Sequence, residues 1–219
     1  MKREAQVCLW AGLLPIAAVN LAFAINVYQG FEACFPYIEG CASVSRGVRS
    51  GAGLWLFKAS ALPAAMLMWL SWHPRALQSM FEQPVRLKLI SRFGRIGAVF
   101  FLVYAAWLGT EGDIYRWLRR YGVVFYFGLT GLAHLLLAAR LHRYRMPDTA
   151  HRLYLVTVAL AWASGVGSAF KRRLIEDEIL LDRVENLLEW NFALLLSLCF
   201  VALAGVLHHH ARLRGAASS

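Results

Sequence analysis

Three observations predict an all-α polytopic membrane protein, a bundle of six transmembrane helices with both termini inside. First, 59% of the 219 residues are hydrophobic and only 16% are charged, whereas soluble domains run at about 45–50% and about 25%. Second, six stretches nearly free of charge approach the roughly 20 residues that a helix needs to cross a bilayer. Third, basic residues are unequally shared between alternate connecting segments. Together with a mean hydropathy of +0.49, these features exclude a disordered chain and argue against an ordinary soluble domain. The formal net charge of +10 reads as a statement about topology rather than about nucleic acid.

The whole chain, 1–219, reads as one domain with spans near 7–28, 51–72, 90–110, 121–140, 153–170 and 186–207. The first is uncharged from Gln6 to Phe31. Its Met-Lys-Arg start resembles a signal peptide, but the apolar run is too long and no small-residue cleavage motif closes it. The second contains one charge, Lys58. The third is short from Ile96 to Thr110, so it crosses only if it starts near Leu89 and Arg92 and Arg95 snorkel. The fourth and fifth, from Tyr121 and from Leu153, are uncharged through Ala139 and Phe170. The sixth opens at Asn186 with Glu189 near its start. The segment before it spaces Leu174, Leu181, Val184 and Leu188 at roughly helical intervals and predicts an outward extension. The stretch 73–95 mixes apolar and basic residues and is expected at the inner interface.

Six spans place both termini on one side. With that side inside, the inner segments hold 13 basic and 3 acidic residues, and the outer loops hold nine of each. The inner surface is thus strongly positive and the outer neutral, the usual sense of the bias. Arg outnumbers Lys 19 to 4, a composition that fits a GC-rich prokaryote. The inner (plasma) membrane would then be the location.

Four cysteines divide into two classes. Cys8 and Cys199 fall within spans and read as packing residues. Cys34 and Cys41 share the first outer loop; in an oxidising compartment they can pair, or they can remain free thiols. No zinc spacing or phosphate-binding loop is present, and no metal site or cofactor is expected. Of seven histidines only His134 lies well inside a span, where it reads as a polar residue bonded across helices. A haem role would require a facing partner. Span five carries two rows of small residues, Ala159/Ala163/Gly167 and Ala161/Gly165/Ala169, which predict close bundle packing. Trp10, Trp55, Trp69, Trp72, Trp107, Trp117 and Trp190 fall near span ends and are expected as interfacial anchors.

Ionisable residues inside spans are costly and tend to face a partner or a cavity. Lys58 and Glu189 lie at similar depth in the outer half of the bilayer, with Asn26, Asn191 and Tyr126 at the same level. They are expected to form a Lys–Glu pair joining spans two and six, as a structural clamp, as the wall of a polar pocket open to the outer leaflet, or as both. The pocket would lie beneath the Pro36-Tyr37-Ile38 loop.

That loop runs Phe35-Pro36-Tyr37-Ile38, then Ser43 and Ser45, into Gly51-Ala52-Gly53, and span six opens with Leu188-Glu189-Trp190. In span order and in these motifs the chain resembles the FRAG/DRAM/Sfk family of six-span membrane proteins. It departs from the family pattern at Glu39-Gly40-Cys41 and at Arg120-Tyr121. The resemblance implies a lipid-related, outward-facing role, with Pro36, Tyr37, Ile38, Glu189 and Trp190 as the residues carried over. Membrane lipids are the expected partners and nucleic acid is not. Two other readings stand beside it: an accessory or haem-bearing subunit of a larger membrane complex, and a membrane enzyme acting on a lipid. For the enzyme, Ser60, Glu189 and Lys58 are the nearby candidates.

Overall fold

A computed structural model describes residues 3–81, 84–143 and 148–216. Lys2, Glu82 and Arg145, which enter the charge count above, lie outside the described residues. Among the described residues there are helices and no strands. Six helices are long and apolar enough to span a membrane: α1 (Arg3–Tyr28), α4 (Gly51–Ser71), α6 (Lys88–Trp107), α7 (Asp113–Arg143), α8 (Thr149–Leu174) and α9 (Glu178–Ala216). Three short helices, α2 (Pro36–Glu39), α3 (Val44–Val48) and α5 (Pro74–Gln78), lie in the connections. The chain is an integral membrane protein with the predicted six-span, all-α architecture. The end bearing α2 and α3 is called outer here, following the charge bias.

Local chemistry sets the boundaries. Pro36 and Pro74 open α2 and α5, where a missing N–H costs nothing. Ser43 caps α3 by accepting from the Arg46 N–H, and Asp148 caps α8 by accepting from the His151 N–H. Pro15 and Pro63 sit inside α1 and α4, where neighbouring helices tolerate them. At 39 residues and 1.5 Å per residue, α9 is about 58 Å long. It outruns the hydrocarbon, and its first turns extend outward as expected, although Leu174, expected in that extension, closes α8 instead.

The spans form a ring in chain order. α1 packs on α4, α4 on α6, α6 on α7, α7 on α8 and α8 on α9, and the α1–α9 seam closes the ring. That closing seam is tight. A Cβ on Gly12 would press into the Ser197 carbonyl and sit 2.8 Å from Val201. At the inner end, Trp72 lies in the core against His134 and Phe200. His134 Nδ1 is 3.0 Å from the Tyr154 hydroxyl, the cross-helix contact expected of it.

The structure departs from two sequence expectations. Trp72 and Trp190 are 0% and 1% exposed and are core residues rather than interfacial anchors, because Trp72 packs on His134 and Phe200 and Trp190 is covered by Phe23 and Tyr37. The row Ala159, Ala163 and Gly167 is exposed rather than packed. α8 turns that face outward and buries Tyr154, Val158 and Ala161 instead.

Candidate functional site

The first outer loop is folded down between α1 and α9. Asn186 donates to the Gly40 carbonyl at 2.9 Å, the Trp190 indole to the Ala42 carbonyl at 2.8 Å, and Asn191 to the Tyr37 carbonyl at 2.8 Å. From α1, Asn26 donates to the Gly47 carbonyl at 2.9 Å and accepts from the Gly53 N–H at 3.2 Å. Asn20 and the Tyr37 hydroxyl are also bonded. Burial pushes the Tyr37 hydroxyl above its ordinary pKa, and the Asn20 bond opposes that shift. The Tyr37 ring meets Trp190 edge-on at 5.1 Å. Cys34 and Cys41 are joined by a disulfide across α2. Gly40 is left-handed at φ 60°, and a Cβ there would strike the Arg183 carbonyl. Only glycine allows the loop to approach α9 so closely.

Glu189 belongs to this dock. Its carboxyl lies beside the backbone N–H groups of Val44 and Ser45, the first two residues of α3. Ser43 takes the third N–H, that of Arg46. The carboxyl thus stands at the N-terminus of the short helix, where open N–H groups favour a negative charge. The expected Lys58–Glu189 pair does not form. α4 packs on α1 and α6, and α1 stands between it and α9. Lys58 instead lies over the Trp55 ring at 5.7 Å. Ser60 donates back to the Phe57 carbonyl of its own helix at 2.8 Å, so Ser60, Lys58 and Glu189 do not assemble into one site. Asn26 and Asn191 are loop pins rather than neighbours of Lys58. Ile38 is exposed and Pro36 is buried.

A cavity of about 50 Å³ lies behind the dock, bordered by Tyr37, Tyr104, Tyr126, Glu189, Trp190 and Ser197. Val123, Phe127, Tyr104 and Glu189 separate it from a much larger groove of about 760 Å³ between α7, α8 and α9. The groove exists because α7 and α8 are joined only at depth. The Trp162 indole donates to the Gly131 carbonyl at 3.2 Å. Beyond Ala161, no residue of α8 with a described side chain is fully buried. Small residues keep the trough open: a Cβ on Gly128 or Gly131 would meet nothing within 4 Å. Its deep walls are apolar, formed by Val124, Phe127, Trp162, Val166 and Phe192, and its outer rim carries Arg49, Arg116, Arg119, Arg120 and Lys171 with Glu185. Lys171 pairs with Glu185 at 3.0 Å. Arg119 donates to the Trp107 and Thr110 carbonyls, which holds the end of α6.

Of the lipid-pocket candidates read from the sequence, only Glu189 lines this groove. The rim arginines were legible as Arg116, Arg119 and Arg120 at helical spacing on the outer side, where basic residues are usually few. A separate concavity at the inner face is lined by Arg75, Arg86, Lys88, Arg140 and Arg214, which the usual inner excess of positive charge explains. Among the described residues no group of His, Cys, Asp and Glu could hold a metal ion. Comparison with protein families, with curated proteins and with solved structures returns no match.

Proposed function

We propose that this integral membrane protein binds a phospholipid of the outer leaflet in the groove between α7, α8 and α9. One observation carries the reading: the groove is apolar at membrane depth and basic at its outer rim, the polarity profile of a lipid from chains to phosphate. The pocket expected beneath the Pro36-Tyr37-Ile38 loop is thereby moved one seam around the ring. The loop dock is its neighbour and Glu189 belongs to both. Membership of the FRAG/DRAM/Sfk family is proposed on Pro36, Tyr37, Ile38, Glu189 and Trp190 alone, and these residues build the dock more than the groove.

The test is to fill the groove. Gly128→Leu places a side chain where nothing now stands, and glycine in a helix interior costs about 1 kcal/mol relative to alanine, so the helix is not weakened. Native mass spectrometry of protein purified in mild detergent should find phospholipid retained by the parent chain and retained severalfold less by Gly128→Leu, with an unchanged or raised melting temperature. Equal retention by both proteins would refute the reading.

A further inference from the structure

The charges around the groove do not cancel, and their placement narrows its occupant. A polar concavity of about 560 Å³, lined by Ser50, Thr110, Glu111 and the backbone around Gly109 and Gly112, adjoins the groove at its outer mouth. Arg49, Arg116 and Arg119 border both spaces. The acids of the groove are placed elsewhere: Glu185 pairs with Lys171 at 3.0 Å, and Glu189 faces the N-terminus of α3. The basic side chains are less so. Among the described residues Arg49 and Arg120 make no ion pair. Arg119 bonds only to carbonyls, which leaves its charge uncompensated. Arg116 meets Asp113 at 3.5 Å in an exposed pair, an arrangement worth little. The outer acid Asp182 is taken by Arg46 at 3.4 Å.

A second polar feature lies deeper. Tyr104 is 5% exposed, its hydroxyl has no hydrogen-bond partner among the described residues, and it borders both the groove and the small inner cavity. A buried hydroxyl without a partner carries a desolvation penalty, which a ligand oxygen beside it would relieve.

Building on the phospholipid reading, we infer that the groove selects an anionic phospholipid. Its phosphate sits at the junction of Arg49, Arg116 and Arg119, with Arg120 alongside. Its polar headgroup enters the outer concavity, its glycerol-ester oxygens face the Tyr104 hydroxyl, and its chains lie along Val124, Phe127, Trp162 and Val166. Guanidinium groups suit this task, since they bind phosphate oxygens in pairs and stay charged at any physiological pH. A zwitterionic lipid offers the same phosphate, but its own ammonium competes for it and brings a positive charge toward the arginines.

The experiment is a native mass spectrometry titration of delipidated protein in detergent micelles. The probes are phosphatidylglycerol and phosphatidylcholine with identical acyl chains. Phosphatidylglycerol should half-saturate the protein at about tenfold lower concentration, the ratio expected for a single charge-assisted contact. Arg49→Gln/Arg120→Gln should abolish that preference, weakening phosphatidylglycerol far more than phosphatidylcholine, with the melting temperature unchanged. Tyr104→Phe should weaken both lipids alike. Binding of neither lipid would overturn the phospholipid reading itself. Equal binding of both by the parent chain would overturn the anionic selection alone. A preference that survives the double change would overturn the site. Should the double variant fail to fold, the two single changes replace it, and an undiminished preference in both overturns the site equally. A helical protein partner that covers the groove and excludes both lipids would overturn the inference and the reading together.

Discussion

Glu189→Gln isolates what the half-buried carboxyl does. In the structure it faces the Val44 and Ser45 N–H groups at the start of α3, while Ser43 serves the Arg46 N–H. A negative charge at a helix N-terminus contributes about 0.3–1 kcal/mol when exposed and up to about 2 kcal/mol when partly buried. Glutamine keeps the shape and loses the charge, so α3 should be less stable by up to about 2 kcal/mol. At 1.4 kcal/mol per tenfold, that is up to about a thirtyfold more frequent local opening. Hydrogen–deuterium exchange over the peptide 41–50 reads this directly, and the amides of Val44 to Val48 should exchange correspondingly faster. Lys58→Met is the control. A Lys58–Glu189 clamp would make it act like the glutamine variant, whereas the observed geometry predicts no change in the same peptide. Unaltered exchange in Glu189→Gln, or matching effects of the two substitutions, would refute the reasoning.

Three further outcomes are expected. Asp148→Ala removes the cap of α8 and the 3.4 Å contact with His209; a loss of about 0.5–2 kcal/mol is expected from the cap and is measurable by thermal unfolding in detergent. Reduction of Cys34–Cys41 should destabilise the chain by about 2.5 kcal/mol, the loop-entropy value for so short a closed loop. Maleimide should label those two residues only after reductant and leave buried Cys8 and Cys199 unlabelled in the folded protein. A reporter fused after the last residue should report the cytoplasm and one inserted at Arg46 the outside; the same compartment for both would reject the six-span topology.

The spans were legible because hydropathy is a local property: any 20 consecutive residues reveal it without knowledge of their neighbours. The short cysteine spacing made the outer-loop pair a candidate for the same reason. Depth can be read from sequence too, and it sets Lys58 and Glu189 at similar levels. Depth, however, is one of two coordinates. The other is azimuth around the ring, and nothing local encodes that α1 separates α4 from α9. Spans that are apolar on nearly every side also conceal which face meets lipid, so Trp72 and Trp190 read as anchors although they are core. The groove was the least legible feature. It depends on α7 and α8 diverging above Trp162, and on Gly128 and Gly131 leaving space unfilled. In the sequence these residues are only small, and small residues as easily signify close packing.

The dock and the groove share a helix, and the helical period decides how they are coupled. Along α9, Glu185, Leu188, Glu189 and Phe192 face the groove, a stripe of spacing three and four. Asn186 and Trp190, four apart, hold the loop. The two stripes adjoin at Glu189, which lines the groove while facing the start of α3, and Ser45 of α3 also lines the groove. Arg49, one residue beyond α3, stands at the groove's mouth. The loop therefore sets the position of one rim arginine. Weakening the dock should loosen the phosphate site without touching the apolar walls. Trp190→Phe removes the bond to the Ala42 carbonyl and leaves the groove lining intact. It should reduce the preference for phosphatidylglycerol, weakening it more than phosphatidylcholine, as Arg49→Gln should. If Trp190→Phe speeds exchange in the 41–50 peptide but leaves the lipid preference whole, dock and groove are independent structures and the coupling through Glu189 is wrong.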